Sequence, residues 1–133
     1  MRALSIRQPW AWLITHGHKN IENRTWRTNY RGPVLIHTGQ KVDRWARFTP
    51  ILLLADACGV VTIPRDLPLG GIVGVATLVD CVTESESPWF KGPYGFELCD
   101  ARPLPFVACP GRLNIFRVDS SILSTIQRSL TLI

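Results

Sequence analysis

Three charged side chains, an ammonium, a carboxylate and a guanidinium, occur within six positions of this chain. They belong to Lys19, Glu22 and Arg24. An arginine is a planar, two-pronged donor for a phosphate or a base edge, a lysine is a point charge, and a glutamate can accept a hydrogen bond from an exocyclic amine. In irregular or extended backbone, this spacing can direct all three groups into one cleft. Residue by residue, a local surface ion pair is the more common explanation.

Aromatic side chains and further donors flank this charged segment. Trp26 and Tyr30 follow it, and aromatic rings beside cations can stack nucleic-acid bases, although both rings could equally belong to the core. Arg7 and Gln8 precede it, at a predicted junction between a strand and a helix. We include these four residues and Arg31 in the predicted binding surface.

The charge of the chain is distributed unevenly along its length. The 133 residues carry a net charge of +5, with nine Lys or Arg against two acidic residues in 1–47 and six against eight in 48–133. A basic half predicts an anionic partner such as a phosphate backbone, and a solubilising surface explains it equally well. Apolar residues make up 46% of the chain and charged residues 19%, which favours one compact domain over disorder.

The cysteines and the apolar segments exclude several classes of protein. The four cysteines form no CxxC pair and no histidine stands at zinc-ligand spacing, so we expect neither a metal nor a cofactor. The N-terminus has no apolar run typical of a signal peptide, and the longest apolar stretch, near 72–79, is too short for a membrane span. The sequence therefore predicts a cytoplasmic protein without a membrane partner. A monomer is the default expectation, because apart from the apolar C-terminal stripe the sequence has no signal of oligomeric state.

Hydrophobic periodicity predicts a mixed α+β domain. Strands are expected at 3–7, 34–38, 70–82, 94–98 and 113–118, and helices at 10–16, from Thr49 to Gly59, and from Ile122 onward. The polar segment 20–30 is predicted to be a loop or a short irregular strand, and 102–110 a proline-rich connection. Gly74 inside a strand predicts a sharp bend or a close backbone approach. About five strands with two or three flanking helices suggest a small β-barrel.

The string SIRQPWAWLITHGHKNIENRTWRTNYRGPVLIHTG, residues 5–39, resembles the ASCH family. The resemblance rests on SIRQPWA, on the pattern GxKxxExR that contains Lys19, Glu22 and Arg24, and on the YRGP turn and an IH-bearing strand. It resumes at 71–81, 94–96, 100–105 and 113–118 and covers most of residues 3–119. It implies a domain at 1–119. The near-helical spacing of Ile122, Ile126, Leu130 and Ile133 predicts that the tail, 120–133, forms a short helix packed on the same domain.

This resemblance further implies a PUA-like β-barrel with a cleft between barrel and helices that serves as the nucleic-acid site. Lys19, Glu22 and Arg24 would line that cleft, and Lys41 and Arg44 would be rim charges that contact phosphate. We therefore predict a module that binds RNA or single-stranded DNA. A histidine in an apolar strand, such as His37, is more often a hydrogen-bonded core residue than a ligand or a catalyst.

Two other functions stay open at this point. The first is a metal-independent hydrolase, either a ribonuclease or a modified-nucleoside amidohydrolase, with Glu22 as general base and Lys19 stabilising negative charge. The amidohydrolases that resemble this family have a threonine where this chain has Glu22, so the expected nucleophile is missing. The second is a protein-interaction role through the apolar stripe of the C-terminal segment.

Overall fold

The computed structural model describes residues 1–43, 63, 64 and 66–131. The helix predicted from Thr49, the cysteine Cys58 and the predicted rim residue Arg44 lie outside these residues. Six strands and two helices follow one another along the described chain. They are β1 (Arg2–Ser5), α1 (Trp10–Thr15), β2 (Ile21–Arg24), β3 (Gly32–Thr38), β4 (Gly71–Val82), β5 (Tyr94–Ala108), β6 (Ile115–Arg117) and α2 (Ser120–Thr131).

The six strands form one curled sheet in the order β2-β5-β4-β3-β1-β6. β1 and β3 run parallel, and the other neighbouring strands are antiparallel. Within the described residues β2 and β6 are the sheet edges and do not pair with each other, so the barrel is open. The α+β class agrees with the prediction, but the barrel of about five strands is corrected to an open sheet of six. The extra strand is β2, whose polar sequence has little periodicity and whose extended form depends on pairing with β5.

The strand β5 is much longer than its sequence suggests. A strand at 94–98 and a separate proline-rich connection at 102–110 were predicted, whereas a single strand runs from Tyr94 to Ala108. That prediction was wrong because prolines were taken to end the strand. Pro103 and Pro105 lie where the register between β4 and β5 shifts, and a proline is tolerated at such irregular positions because fewer ladder hydrogen bonds are required there.

The sheet separates two apolar clusters. In β1 and β3 the residues alternate between them, since Leu4 and Ile36 belong to the cluster beneath α1 while Ala3 and Leu35 belong to the cluster beneath α2. This two-residue period follows from the pleat of a β-strand, in which successive side chains point to opposite faces of the sheet. Each face of the sheet is therefore covered by a helix.

The C-terminal helix α2 packs against β5 and places part of its apolar stripe in the second cluster. Ile126 is buried and Ile122 is half-buried, whereas Leu130 is 43% exposed. Of the described stripe residues, Ile122 and Ile126 thus pack within this chain. Neither of the described helices has the length and apolar character needed to cross a membrane.

The short helix α1 is fixed at both ends. The side-chain oxygen of Gln8 accepts the N–H of Trp12 at 2.9 Å. Gly17, with φ +79°, ends the helix as predicted, and its N–H donates to the Ile14 carbonyl at 3.1 Å. The chain leaves the helix toward β2, and this turn positions the charged segment.

Candidate functional site

A cleft of about 970 Å³ opens beside the end of α1 and the edge strand β2. Its described walls come from five segments that are distant in sequence. The residues that line the cleft are Ser5, Arg7, Trp10, Lys19, Glu22, Asn23, Arg24, Thr25, Trp26, Gly39, Gln40, Lys41, Pro88, Trp89, Lys91, Gly92, Arg112, Leu113 and Asn114.

Lys19 lies on the floor of the cleft and is only 5% exposed. The N–H groups of His18 and Lys19 both donate to the Leu13 carbonyl, which directs the chain into the cleft after α1. The Lys19 ammonium donates to the Ile21 carbonyl, lies 3.4 Å from Glu22 Oε1 and sits 5.5 Å from the centre of the Trp10 ring. Burial lowers the pKa of Lys19, and the nearby Glu22 carboxylate opposes that shift.

Glu22 and Arg24 are two residues apart on β2 and therefore face the same side of the sheet. Arg24 Nη2 donates to Glu22 Oε2 at 3.0 Å and also to the Ser5 carbonyl on β1. The guanidinium lies 6.0 Å from the centre of the Trp26 ring. Lys19, Glu22 and Arg24 thus form a linked triad, in which the Glu22 carboxylate accepts a hydrogen bond from each of the two cations. The local ion pairs and the shared cleft, which the sequence offered as alternatives, are both present.

Four further cations surround the cleft opening. Arg7, Lys41, Lys91 and Arg112 are exposed, and none of them makes an ion pair with another described residue. We call these four residues the basic rim. With Lys19 and Arg24 they give six cations against the single carboxylate of Glu22 among the described lining residues. A concave surface with charges of one sign concentrates its field and attracts anions.

One wall of the cleft is a loop that Asn23 fastens to β2. The Asn23 amide donates to the Trp89 carbonyl at 3.0 Å, and its oxygen accepts the N–H of Lys91 at 2.7 Å and of Gly92 at 3.1 Å. Trp89 is buried and packs edge-on against Trp10, with ring centres 6.4 Å apart. These contacts position the Lys91 backbone beside the charged floor.

A second wall of the cleft is the segment that comes after β5 in the chain, residues 112–114, and His37 packs behind it. His37 is 1% exposed; its Nδ1 lies 2.9 Å from Ser5 Oγ, and its Nε2 lies 2.7 Å from the Cys109 carbonyl oxygen. A Cβ on Gly111 would overlap the imidazole, so this glycine lets the loop approach closely. Burial lowers the pKa of His37, while the Cys109 carbonyl opposes the shift. His37 is therefore a hydrogen-bonded core residue that lies directly behind the cleft.

Comparison with known proteins identifies the family of this chain. A family model described as the ASCH domain matches residues 4–96. The human protein "Activating signal cointegrator 1" is 33% identical over 143 aligned positions that cover 96% of this chain. This chain belongs to the ASCH domain family. The mouse protein of the same name is 35% identical over 89 positions, or 62% of this chain. The chain spans 24% of the human relative and 15% of the mouse relative.

Solved ASCH structures have the same fold. The ASCH protein of Zymomonas mobilis aligns with a TM-score of 0.55 and 14% identity over 99% of this chain and 94% of its own. A point mutant of that protein aligns with a TM-score of 0.59 and 12% identity over 96% of both chains. At this level of identity the likeness concerns the fold, and it agrees with an open six-stranded sheet flanked by helices.

Several predicted binding residues of this ASCH domain line the cleft. Arg7 and Lys41 belong to the basic rim, as described above. Trp26 also lines the cleft, and its ring packs edge-on against Phe96 with the centres 5.1 Å apart. Trp26 is half-buried, so it serves both the core and the cleft wall.

Three other predicted residues do not line the cleft. Gln8 is 1% exposed, and its amide is used by the cap of α1 and by the Pro68 carbonyl. The Tyr30 hydroxyl donates to the Pro33 carbonyl. Arg31 is paired at 3.4 Å with Asp80. Each of these three side chains makes a local contact away from the cleft lining, and their role in binding stays a prediction.

Sequence reasoning missed several residues of the cleft. Ser5 and Trp10 lie inside the SIRQPWA motif that identified the family, so a signal for them was present. Lys91 and Arg112 belong to the half of the chain that is acidic overall, and nothing local marks them. Among the described residues, no three His, Cys, Asp or Glu side chains are grouped to hold a metal ion.

Proposed function

We propose that this ASCH domain binds RNA or single-stranded DNA in the cleft. The observation that carries the proposal is the charge of the lining, six cations against one carboxylate, with the four basic-rim cations exposed and unpaired among the described residues. Unpaired surface cations gain most from a polyanion, because phosphates that replace counterions release them into solution.

The rim and the floor have different roles in this proposal. The basic rim contacts phosphates and supplies affinity without base preference. The triad lies deeper, beside the rings of Trp10 and Trp26, where an unpaired base can reach it. Arg24 and Glu22 then offer a donor and an acceptor to a base edge, and the Trp26 ring offers an apolar surface for stacking.

The experiment measures retention and breakdown of labelled single-stranded RNA and DNA in the same samples. The double variant Lys91→Gln with Arg112→Gln removes two rim charges from exposed positions, so its fold is expected to be intact. Arg31→Gln is the matched control, because this arginine is exposed but lies off the cleft. We expect the double variant to bind at least about tenfold more weakly at 100 mM salt and the control to bind as the wild type does. Equal binding by all three proteins contradicts the proposal.

The same samples test the alternative of a metal-independent hydrolase. Breakdown of the RNA by the wild type that is lost in Lys19→Ala supports an enzyme, whereas retention without breakdown supports a binding module. In the cleft both Glu22 oxygens already accept from cations. Each of these oxygens keeps a second lone pair, which can accept a hydrogen bond from a ligand group.

We further propose that the domain acts in the cytoplasm as a monomer. The cysteines of the described residues are free thiols, as is usual in the reducing cytoplasm. In α2, Ile122 and Ile126 pack against the sheet of the same chain, which favours a monomer. Light scattering of the purified chain at micromolar concentration measures its mass. A dimer would contradict the monomeric state, and the exposed Leu130 would then be a candidate contact between the two copies.

A further inference from the structure

We infer that Ser5 is a hydrogen-bond acceptor for the cleft ligand and selects a ligand group that donates, such as the exocyclic amine of a base or a ribose 2′-hydroxyl. The inference rests on the proposed function, since it concerns what is bound in the same cleft. It adds a specificity-determining residue that lies outside the triad and the basic rim.

The argument starts from the carbonyl behind His37. A carbonyl oxygen only accepts hydrogen bonds, so His37 Nε2, 2.7 Å from the Cys109 oxygen, must carry a hydrogen. A neutral imidazole has one N–H, and Nδ1 is then an acceptor. Among the described residues, the partner of Nδ1 is the Ser5 hydroxyl at 2.9 Å, which therefore donates to it. A hydroxyl whose single hydrogen is used in this way offers only lone pairs to other partners.

The surroundings of His37 favour the neutral ring. The side chain is 1% exposed and packs edge-on against Phe116, with ring centres 5.6 Å apart. No carboxylate among the described residues makes an ion pair with it. An imidazolium in this position would be a buried charge without a counter-ion, which is strongly unfavourable.

Ser5 lies between His37 and the cleft. Ser5 is half-buried and lines the cleft, at the end of β1 opposite His37 on β3. Arg24 Nη2 contacts both the Ser5 carbonyl and, at 3.0 Å, Glu22 Oε2, so Ser5 and the triad carboxylate flank one nitrogen. A donor-bearing ligand group that enters beside Arg24 thus meets acceptors from two residues in a cleft whose other charged groups are all donors.

The first experiment tests the hydrogen-bond assignment without any nucleic acid. Long-range proton–nitrogen correlation spectra of the ¹⁵N-labelled chain at pH 7.5 report which ring nitrogen of His37 is protonated. We expect the Nε2–H tautomer. The cross-peaks of His37 are identified because they are missing from the spectrum of the His37→Gln variant. An Nδ1–H tautomer or a doubly protonated ring overturns the inference, whatever the chain binds.

The second experiment tests selection with matched eight-nucleotide probes. One pair compares a mixed A/C RNA with the same RNA built from purine and 2-pyrimidinone, which lack the exocyclic amines. The other pair compares that A/C RNA with the A/C DNA, which lacks the 2′-hydroxyls. We expect the wild type to prefer the donor-bearing member of one pair by about fivefold, the range of one net hydrogen bond.

The variants decide whether Ser5 causes that preference. Ser5→Ala should abolish it in the same pair and leave the other pair unchanged, whereas Ser5→Thr, which keeps a hydroxyl, should retain it. Binding by the wild type with a preference that Ser5→Ala leaves intact, or with no preference in either pair, overturns the inference while the proposed function survives. Failure of the wild type to bind any probe overturns the proposed function instead, and the ligand selection with it.

Discussion

Lys19 shows how a charged side chain can be kept almost fully inside this small domain. Its ammonium has a carbonyl, a carboxylate and an aromatic ring around it, which together replace the water it loses. The spacing of the motif predicted that Lys19 and Glu22 would meet. The burial of the lysine was not predictable, because it depends on the packing of the Trp10 ring of α1 against it.

Replacing Glu22 by Gln should destabilise the fold by about 3 kcal/mol, because it leaves the nearly buried Lys19 ammonium without its counter-charge. Urea unfolding at pH 7 measures the change in the free energy of unfolding. The matched surface change is Asp80→Asn, which breaks the exposed pair with Arg31 and should cost less than about 1 kcal/mol. A further change of Lys19 to Met in the Glu22→Gln background should restore part of the loss. Equal costs for Glu22→Gln and Asp80→Asn would show that the triad is as weakly coupled as a surface pair.

The lowered pKa of His37 predicts a pH-dependent stability. In the unfolded chain the imidazole binds a proton below about pH 6.5, whereas the folded state resists that proton until a lower pH. The unfolded state therefore binds more protons in this window, and the free energy of unfolding falls as the pH is lowered from 7.5 to 5, with a slope of at most about 1.4 kcal/mol per pH unit. Unfolding of the wild type and of His37→Gln at several pH values isolates this residue. A difference between the two proteins that does not change with pH contradicts the prediction.

Among the elements, the contact between α1 and β4 depends on Gly74. The sequence predicted a bend or a close approach at this glycine, and the register of β4 with β5 does shift between Ile72 and Gly74. A Cβ here would overlap the methyl group of Thr15 on α1 and lie 2.7 Å from the Arg102 carbonyl oxygen. The helix that positions Lys19 can therefore approach the sheet only where a side chain is missing.

Gly74→Ala should consequently cost about 2 kcal/mol of stability, the usual size of an overpacking effect. Thermal or urea unfolding measures it. Combining it with Thr15→Ser removes one of the two clashes, so the double variant should recover part of the loss, while the clash with the Arg102 backbone persists. A Gly74→Ala protein as stable as the wild type would mean that α1 can shift without cost.

The loop wall of the cleft is predicted to depend on a single side chain. Asn23→Ala removes three hydrogen bonds, two of them to the backbone N–H groups of Lys91 and Gly92. The expected loss is about 2 kcal/mol, together with faster amide hydrogen exchange at 91 and 92 than at the amides of β4. Unchanged exchange at these two amides would show that the loop is held by other contacts.

For the whole molecule, the charge distribution predicts a steep dependence of binding on salt. If each of the four basic-rim cations contacts one phosphate of a single strand, the logarithm of the binding constant falls with the logarithm of salt concentration with a slope of about −3. Lys91→Gln with Arg112→Gln should reduce the slope by about 1.4, and Arg31→Gln should leave it unchanged. Fluorescence anisotropy titrations at salt concentrations from about 50 to about 300 mM measure this slope. A slope near zero would remove the rim from the proposed interface.

The amino-acid sequence by itself determined the family, the mixed class, the strands β1 and β3, and the proximity of Lys19, Glu22 and Arg24. All of these are encoded within short stretches, where periodicity, end signals and motif spacing act locally. Only the tertiary structure decided that β2 is a strand, that β5 continues through its prolines, and that Gln8 and Arg31 lie away from the cleft lining. The tertiary structure alone also shows that Lys91 and Arg112 share a cleft with the triad and that Ser5 contacts His37. These features depend on contacts between segments far apart in the chain, and no local pattern specifies which of the possible long-range pairings is the most stable.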